Sequence, residues 1–124
     1  VDELLRHLTV VQVAFPRFAK QRVRIGGATI EEGDIVLCSL SAANRDGGLD
    51  TFDPDRAARP HLAFGHGLHR CIGAELARME LRAAYPALVR RFPDIRLGAQ
   101  PSTLPFRKLS FVFGVDALPV ELGT

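Results

Sequence analysis

The sequence predicts an α+β chain in which a short helix, a hairpin, a glycine-rich loop and a long helix follow one another. Three observations carry that expectation. Apolar residues recur at Ala77, Leu81, Ala84, Tyr85, Leu88 and Phe92, a helical stripe. Arg22-Val23-Arg24-Ile25 alternates polar with apolar, Gly26-Gly27 follows, and Ala28-Thr29-Ile30 returns, which is the pattern of a two-residue hairpin. Between hairpin and stripe lies a stretch broken by Gly and Pro. It ends in Phe64-Gly65-His66-Gly67-Leu68-His69-Arg70-Cys71-Ile72-Gly73.

In chain order, residues 1–8 read as a helix with Leu4, Leu5 and Leu8 on one face. No capping residue stands out beyond Asp2, so the helix reads as already under way and the chain as part of something longer. Residues 9–21 are expected to be extended or irregular, since Pro16 biases Phe15 away from the helical region. After the hairpin, Glu31-Glu32-Gly33-Asp34 makes a turn, and Ile35 to Leu40 has the length and apolarity of a buried strand. Cys38, inside that run, reads as a small buried hydrophobe. A short helix over 41–46 is expected with Ser41 as its cap. Residues 47–63 show no period and read as a meandering loop. The long helix starts at Ala74 and runs to about Phe92, where Pro93 closes it. Pro86 lies inside it, removes one donor and costs roughly 3 kcal/mol, so a kink is expected there. Short β pieces are expected at Ile95-Arg96-Leu97 and from Leu109 to Phe113.

Bulk properties exclude several classes. A chain of 124 residues is one domain at most, and a domain of that size buries roughly two thirds of its unfolded surface. With 47% hydrophobic and 24% charged residues it reads as globular and not disordered. A net charge of +2 is too small to argue for nucleic acid. Two cysteines, Cys38 and Cys71, build no disulfide framework and suit a reducing compartment. There is no signal peptide, and no apolar run approaches the roughly 18 residues of a membrane span, so no membrane and a cytoplasmic setting are expected.

Cys71 carries the chemistry. A thiol just before a helix lies near the positive end of the macrodipole and near free N–H donors, a setting that favours the thiolate, a soft metal ligand. Gly65 and Gly67 permit positive φ, Gly73 leaves space beside the chain, Phe64 offers an aromatic face to sulfur, and Leu68 and Ile72 keep the surroundings dry. Together they describe a bed for one axial ligand beneath a planar cofactor. Zinc is the alternative, with His61, His66, His69 and Cys71 as ligands in a zinc-binding or interaction module. The spacing is unlike a finger, and zinc has no use for three glycines or for Phe64. A nucleophilic thiol with His69 as base lacks a third, orienting residue.

The pattern Phe64-x-x-Gly67-x-His69-x-Cys71-x-Gly73 resembles the haem-binding signature of cytochrome P-450, the haem-thiolate monooxygenases. His at position 69 resembles a soluble bacterial subgroup. Glu3-Leu4-Leu5-Arg6 is similar to the family's Glu-x-x-Arg motif, and Ala43-Asn44-Arg45-Asp46, Leu62-Ala63-Phe64-Gly65 and Gly114-Val115-Asp116-Ala117-Leu118-Pro119 resemble bacterial members. The resemblance implies an α+β fragment of a mainly α fold. Its parts would be a K-type helix, a β-hairpin, a meander, the Cys-ligand loop, an L-type helix and C-terminal β strands. Residues 1–124 would be the C-terminal part of a single domain, with the N-terminal part and the I helix absent.

The resemblance also implies roles. Cys71 would bind the iron of haem b (iron protoporphyrin IX), where thiolate donation favours O–O cleavage. Phe64, Gly65, Gly67, His69, Ile72 and Gly73 would form the cofactor bed, with His69 and Arg17 contacting the haem propionates. Glu3 and Arg6 would brace the meander through a third partner, Arg56 on one alignment and Thr51 on another. Val11, Val13, Phe111 and Val112 would line a pocket for a small apolar substrate or be ordinary core. O2 would be the co-substrate. Electrons would come from NAD(P)H through redox partners, with a ferredoxin-type donor docking near Arg70, Arg78 and Arg82. The family activates oxygen with an acid–threonine pair on the I helix, so no turnover is expected from these residues alone.

Overall fold

A computed structural model describes residues 1–123. Helix α1 spans Asp2–Leu8, with Asp2 and Glu3 in its first turn and Arg6 and His7 in its last, so its charges complement the helix dipole. It ends at Thr9, whose φ of 40° turns the chain in the left-handed region. Strand β1 (Arg17–Phe18) pairs antiparallel with β4 (Ile35–Val36), and β2 (Val23–Ile25) pairs with β3 (Ala28–Ile30). The β2–β3 register sets Val23 against Ile30 and Ile25 against Ala28, with Gly26 and Gly27 both at positive φ (56° and 85°). Two positive φ values define the type I′ turn, which is why two glycines stand there.

Helix α2 spans Leu40–Arg45 and is capped by Ser39, whose hydroxyl accepts from the Ala42 N–H at 3.2 Å. The cap is thus two residues earlier than Ser41, because the helix already takes in Leu40. The apolar run from Ile35 is correspondingly cut to a two-residue strand. Neither Ile35 (63% exposed) nor Cys38 is buried, which corrects the expectation of a covered strand. The physical reason is that β4 pairs only with β1 among the described residues, a two-stranded ribbon that leaves Ile35 and Cys38 open to solvent. The segment 109–113 is likewise irregular and contributes one bridge, Val112 to Val11. Strand β5 (Arg96–Leu97) pairs instead with β6 (Val120–Glu121).

Helix α3 spans Ala74–Arg91 and continues unbroken through Pro86. Its stripe is only half covered: Ala77, Leu81 and Phe92 are half-buried, while Tyr85 and Leu88 lie open. The interior is small and polar. Arg6, Thr9 and Asn44 are buried where α1 meets α2 and the meander, and Ala74 is buried at the start of α3.

The accessible surface is 9731 Å². A folded monomer of this mass exposes about 6,600 Å² and its unfolded chain about 20,000 Å². The chain therefore buries about half of its surface and not the roughly two thirds expected of a domain. On their own, these residues should bind an apolar dye such as anilinonaphthalene sulfonate and self-associate. A dye-silent monomer on size exclusion would contradict this.

Candidate functional site

The cysteine loop is built by local backbone bonds. The Cys71 N–H donates to the Phe64 carbonyl at 2.8 Å and Gly65 N–H donates to the Leu62 carbonyl at 2.9 Å. Gly67–His69 forms one 3₁₀ turn, closed by Arg70 N–H on the Gly67 carbonyl at 3.0 Å. Gly65 has φ 72°, and a side chain there would sit 3.6 Å from the His69 carbonyl. Gly67, φ 71°, makes a second left-handed step. Gly73 caps α3, and its carbonyl accepts from Ala77 N–H at 2.9 Å.

The side chains then divide into two sets. Cys71 is a free, exposed thiol, and Leu68 and Ile72 on either side are fully exposed. On the inner side the Phe64 ring packs against His61 (6.3 Å between centroids) and beneath the Arg78 guanidinium (4.8 Å). A soft donor with no protein partner, rimmed by uncovered apolar side chains, suits a flat apolar group that carries a thiophilic metal. The residues present fit haem.

A buried ionic knot holds the surrounding segments. Arg6, 2% exposed, donates through Nε to Glu3 Oε2 and through Nη2 to Glu3 Oε1, both at 2.7 Å. Its other donors reach the carbonyls of Asn44 (2.6 Å), Leu49 (2.8 Å) and Thr51 (3.2 Å). Glu3 Oε1 also accepts from Arg56 Nε (3.2 Å) and Asp53 N–H (3.1 Å). Arg56 is thus the third side chain of the knot, after Glu3 and Arg6, and Thr51 contributes only its carbonyl, which Arg56 also reaches at 3.3 Å. The Arg6 guanidinium, then the Asp53 N–H and Arg56, hold the Glu3 carboxyl down to about 2 against the opposing effect of burial.

Sequence reasoning missed the other half of this knot. Asn44 Oδ1 accepts from Leu62 N–H at 2.6 Å, and its amide donates to Thr9 Oγ1 at 2.9 Å. Thr9 Oγ1 donates to the Arg6 carbonyl at 2.6 Å. Asn44 therefore ties α1, α2 and the start of the cysteine loop together. The available signal was a buriable Asn beside an Arg in Ala43-Asn44-Arg45-Asp46.

Asp2 ties α1 to α3. Its carboxylate accepts from Arg78 Nε (2.9 Å) and Arg82 Nη2 (2.8 Å), and Arg78 lowers its pKa most. Glu75 accepts from Arg70 (2.6 Å) and Arg78 (2.9 Å), and Arg70 is the main cause of its lowered pKa. So Arg70, Arg78 and Arg82 do gather near the loop, already paired with acids. Arg78 is largely buried (17% exposed), whereas Arg70 and Arg82 face solvent.

Val11 and Val112 are bridged to each other, and Val13 is bridged to Ser39; Phe111 is exposed next to Val112. Arg17 lies in β1, exposed and opposite Val36. The zinc set does not assemble: among the described residues no three His, Cys, Asp or Glu side chains converge on one point. His61 is buried under Phe64 while His66, His69 and Cys71 point outward, which removes that alternative. No described helix is long and apolar enough to cross a membrane.

The family model for cytochrome P-450 matches residues 1–113. The chain belongs to the cytochrome P-450 family. It is 48% identical to cytochrome P-450-SU2 of Streptomyces griseolus, over 97% of this chain and 31% of that protein. It is 44% identical to mycinamicin IV hydroxylase/epoxidase of Micromonospora griseorubida, over 97% of this chain and 32% of that one. Among solved structures it superposes on the tirandamycin C-bound cytochrome P-450 monooxygenase TamI with TM-score 0.93 and 40% identity, covering 98% of this chain and 32% of the other. The chain spans about a third of the length of these relatives. Family membership implies a haem iron as the cofactor.

Proposed function

We propose that this chain is the part of a haem-thiolate monooxygenase domain that presents the iron ligand, with Cys71 as that ligand. The observation that carries the reading is the free Cys71 thiol, exposed on a loop whose backbone is pinned by Phe64 and whose rim is uncovered and apolar. Cys71 holds the iron. Phe64, Gly65, Gly67, Ile72 and Gly73 bed the ring, and His69 and Arg17 offer cations or donors to the propionates of haem b. Glu3, Arg6 and Arg56 lock the meander so that the loop keeps its place. Bound haem would supply oxygen activation, placing one oxygen atom of O2 in a substrate while the other leaves as water.

The Val11–Val112 bridge with exposed Phe111, and Val13 near it, offers an apolar wall for a small organic substrate. That a relative of 44% identity is a hydroxylase/epoxidase supports the same reaction class. Electrons reach the iron from NAD(P)H by way of an acidic, ferredoxin-type donor. Arg70 and Arg82, exposed beside the loop, steer it, while Arg78 acts mainly by holding Phe64 and Asp2. Turnover belongs to the full-length protein, and a reducing, cytoplasmic setting suits its free thiols. The test is an absorption spectrum. The reduced, carbon-monoxide-bound full-length protein should show the red-shifted Soret band of thiolate ligation; stoichiometric zinc uptake with no haem spectrum would refute the reading.

A further inference from the structure

The haem-thiolate reading makes no use of His61, yet this side chain is only 4% exposed and lies at the root of the cysteine loop. Its Nδ1 accepts the Ala63 N–H at 3.2 Å. A neutral imidazole has one donor nitrogen and one acceptor, so the proton is on Nε2. Nε2 is buried and has no hydrogen-bond partner. It faces Asp2 Oδ1 at 3.9 Å, too long for a direct bond. The ring packs on Phe64, which also lies beneath the Arg78 guanidinium, and Arg78 is itself anchored on Asp2. Phe64 in turn accepts the Cys71 N–H.

We infer that His61 is a positioning residue for the thiolate. Its ring and Nδ1 fix Phe64 in place, and through the Phe64 carbonyl they fix the backbone of Cys71 relative to α1 and α3. The inference rests on Cys71 being the iron ligand. Two independent clamps converge on the same short segment, since Leu62 N–H is held by Asn44 and Ala63 N–H by His61. Removing the imidazole frees one of them and takes away the ring that packs against Phe64. Burial, then the positive charge of Arg78 and that of Arg6, hold the His61 pKa below its usual value, while Asp2 opposes them. The side chain therefore serves as a neutral acceptor at physiological pH.

The experiment uses the haem-loaded full-length protein and three variants. His61→Phe keeps a ring but removes both nitrogens, and His61→Asn places an amide oxygen where Nδ1 accepts. Asp2→Ala tests the same clamp from a solvent-facing position. Two readouts are taken: the rate of haem loss to a scavenger, and the share of the reduced carbon monoxide complex that keeps the red-shifted Soret band. His61→Phe should lose haem about 10-fold faster, as for other outer partners of a metal ligand, and its shifted band should decay to the unshifted position. His61→Asn should recover most of both readouts, and Asp2→Ala should lie between wild type and His61→Phe. If His61→Phe fails to fold, Asp2→Ala decides: a wild-type rate there overturns the inference. Equal behaviour of Phe and wild type, or equal loss in Phe and Asn, also overturns it. A wild-type protein without the shifted band refutes the haem-thiolate reading itself, and this inference with it.

Discussion

Replacing Cys71 by alanine should abolish the red-shifted Soret band of the full-length protein while leaving its fold intact. The Cys71 side chain takes no part in holding the loop. Its thiol makes no hydrogen bond to the described residues and is exposed, so deleting Sγ opens no cavity. The bond that shapes the loop, Cys71 N–H to Phe64 carbonyl, is a backbone bond that alanine retains. Surface changes of this kind alter stability by less than about 0.5 kcal/mol. The expected result is therefore a variant with the far-ultraviolet circular dichroism of wild type and none of the thiolate-ligated spectrum. Cys38→Ala is the matched control, because Cys38 is the other free, exposed thiol and lies in the β4–α2 link. It should leave the spectrum unchanged. A shifted band that survives in Cys71→Ala and disappears in Cys38→Ala would reassign the ligand.

What the sequence made legible was local. The β2–β3 hairpin was readable because a type I′ turn needs two residues at positive φ, and Gly26-Gly27 answers that need within four residues. The cysteine loop was readable for the same reason, since Gly65 and Gly67 both stand at positive φ. The polar interior was not readable. Arg6 is buried by three backbone carbonyls some 40 residues along, those of Asn44, Leu49 and Thr51. Carbonyls leave no mark in a sequence. His61 shows the converse limit. As a letter near two histidines and a cysteine it entered only the zinc alternative, and burial against Phe64 turns it inward and away from them. Burial of Ile35 and Cys38 was misjudged because apolarity predicts what a residue would bury and not whether a neighbour is at hand.

Glu3→Ala should be the most destabilising change in the described residues. It leaves the Arg6 guanidinium 2% exposed and stripped of its only counter-charge within hydrogen-bond reach. Breaking a buried pair from one side typically costs about 3–5 kcal/mol. Removing Arg6 as well does not restore the balance, because the carbonyls of Asn44, Leu49 and Thr51 then lose their donor. Arg56→Ala should cost far less, since Arg56 is 20% exposed and its removal leaves Glu3 paired with Arg6. The knot also sets an acid limit. The Glu3 carboxyl titrates near 4.5 when unpaired and is held to about 2 in the fold. The unfolded chain therefore binds the proton first, so stability is whole above pH 4.5 and is lost as pH falls towards 2. Thermal unfolding of the full-length protein across that window should show a steep acid limb. In Glu3→Gln the midpoint should start lower and the limb should be shallower. An acid limb in Glu3→Gln as steep as in wild type would show that other carboxylates set the limit and that the Glu3–Arg6 pair is not what holds the meander in acid.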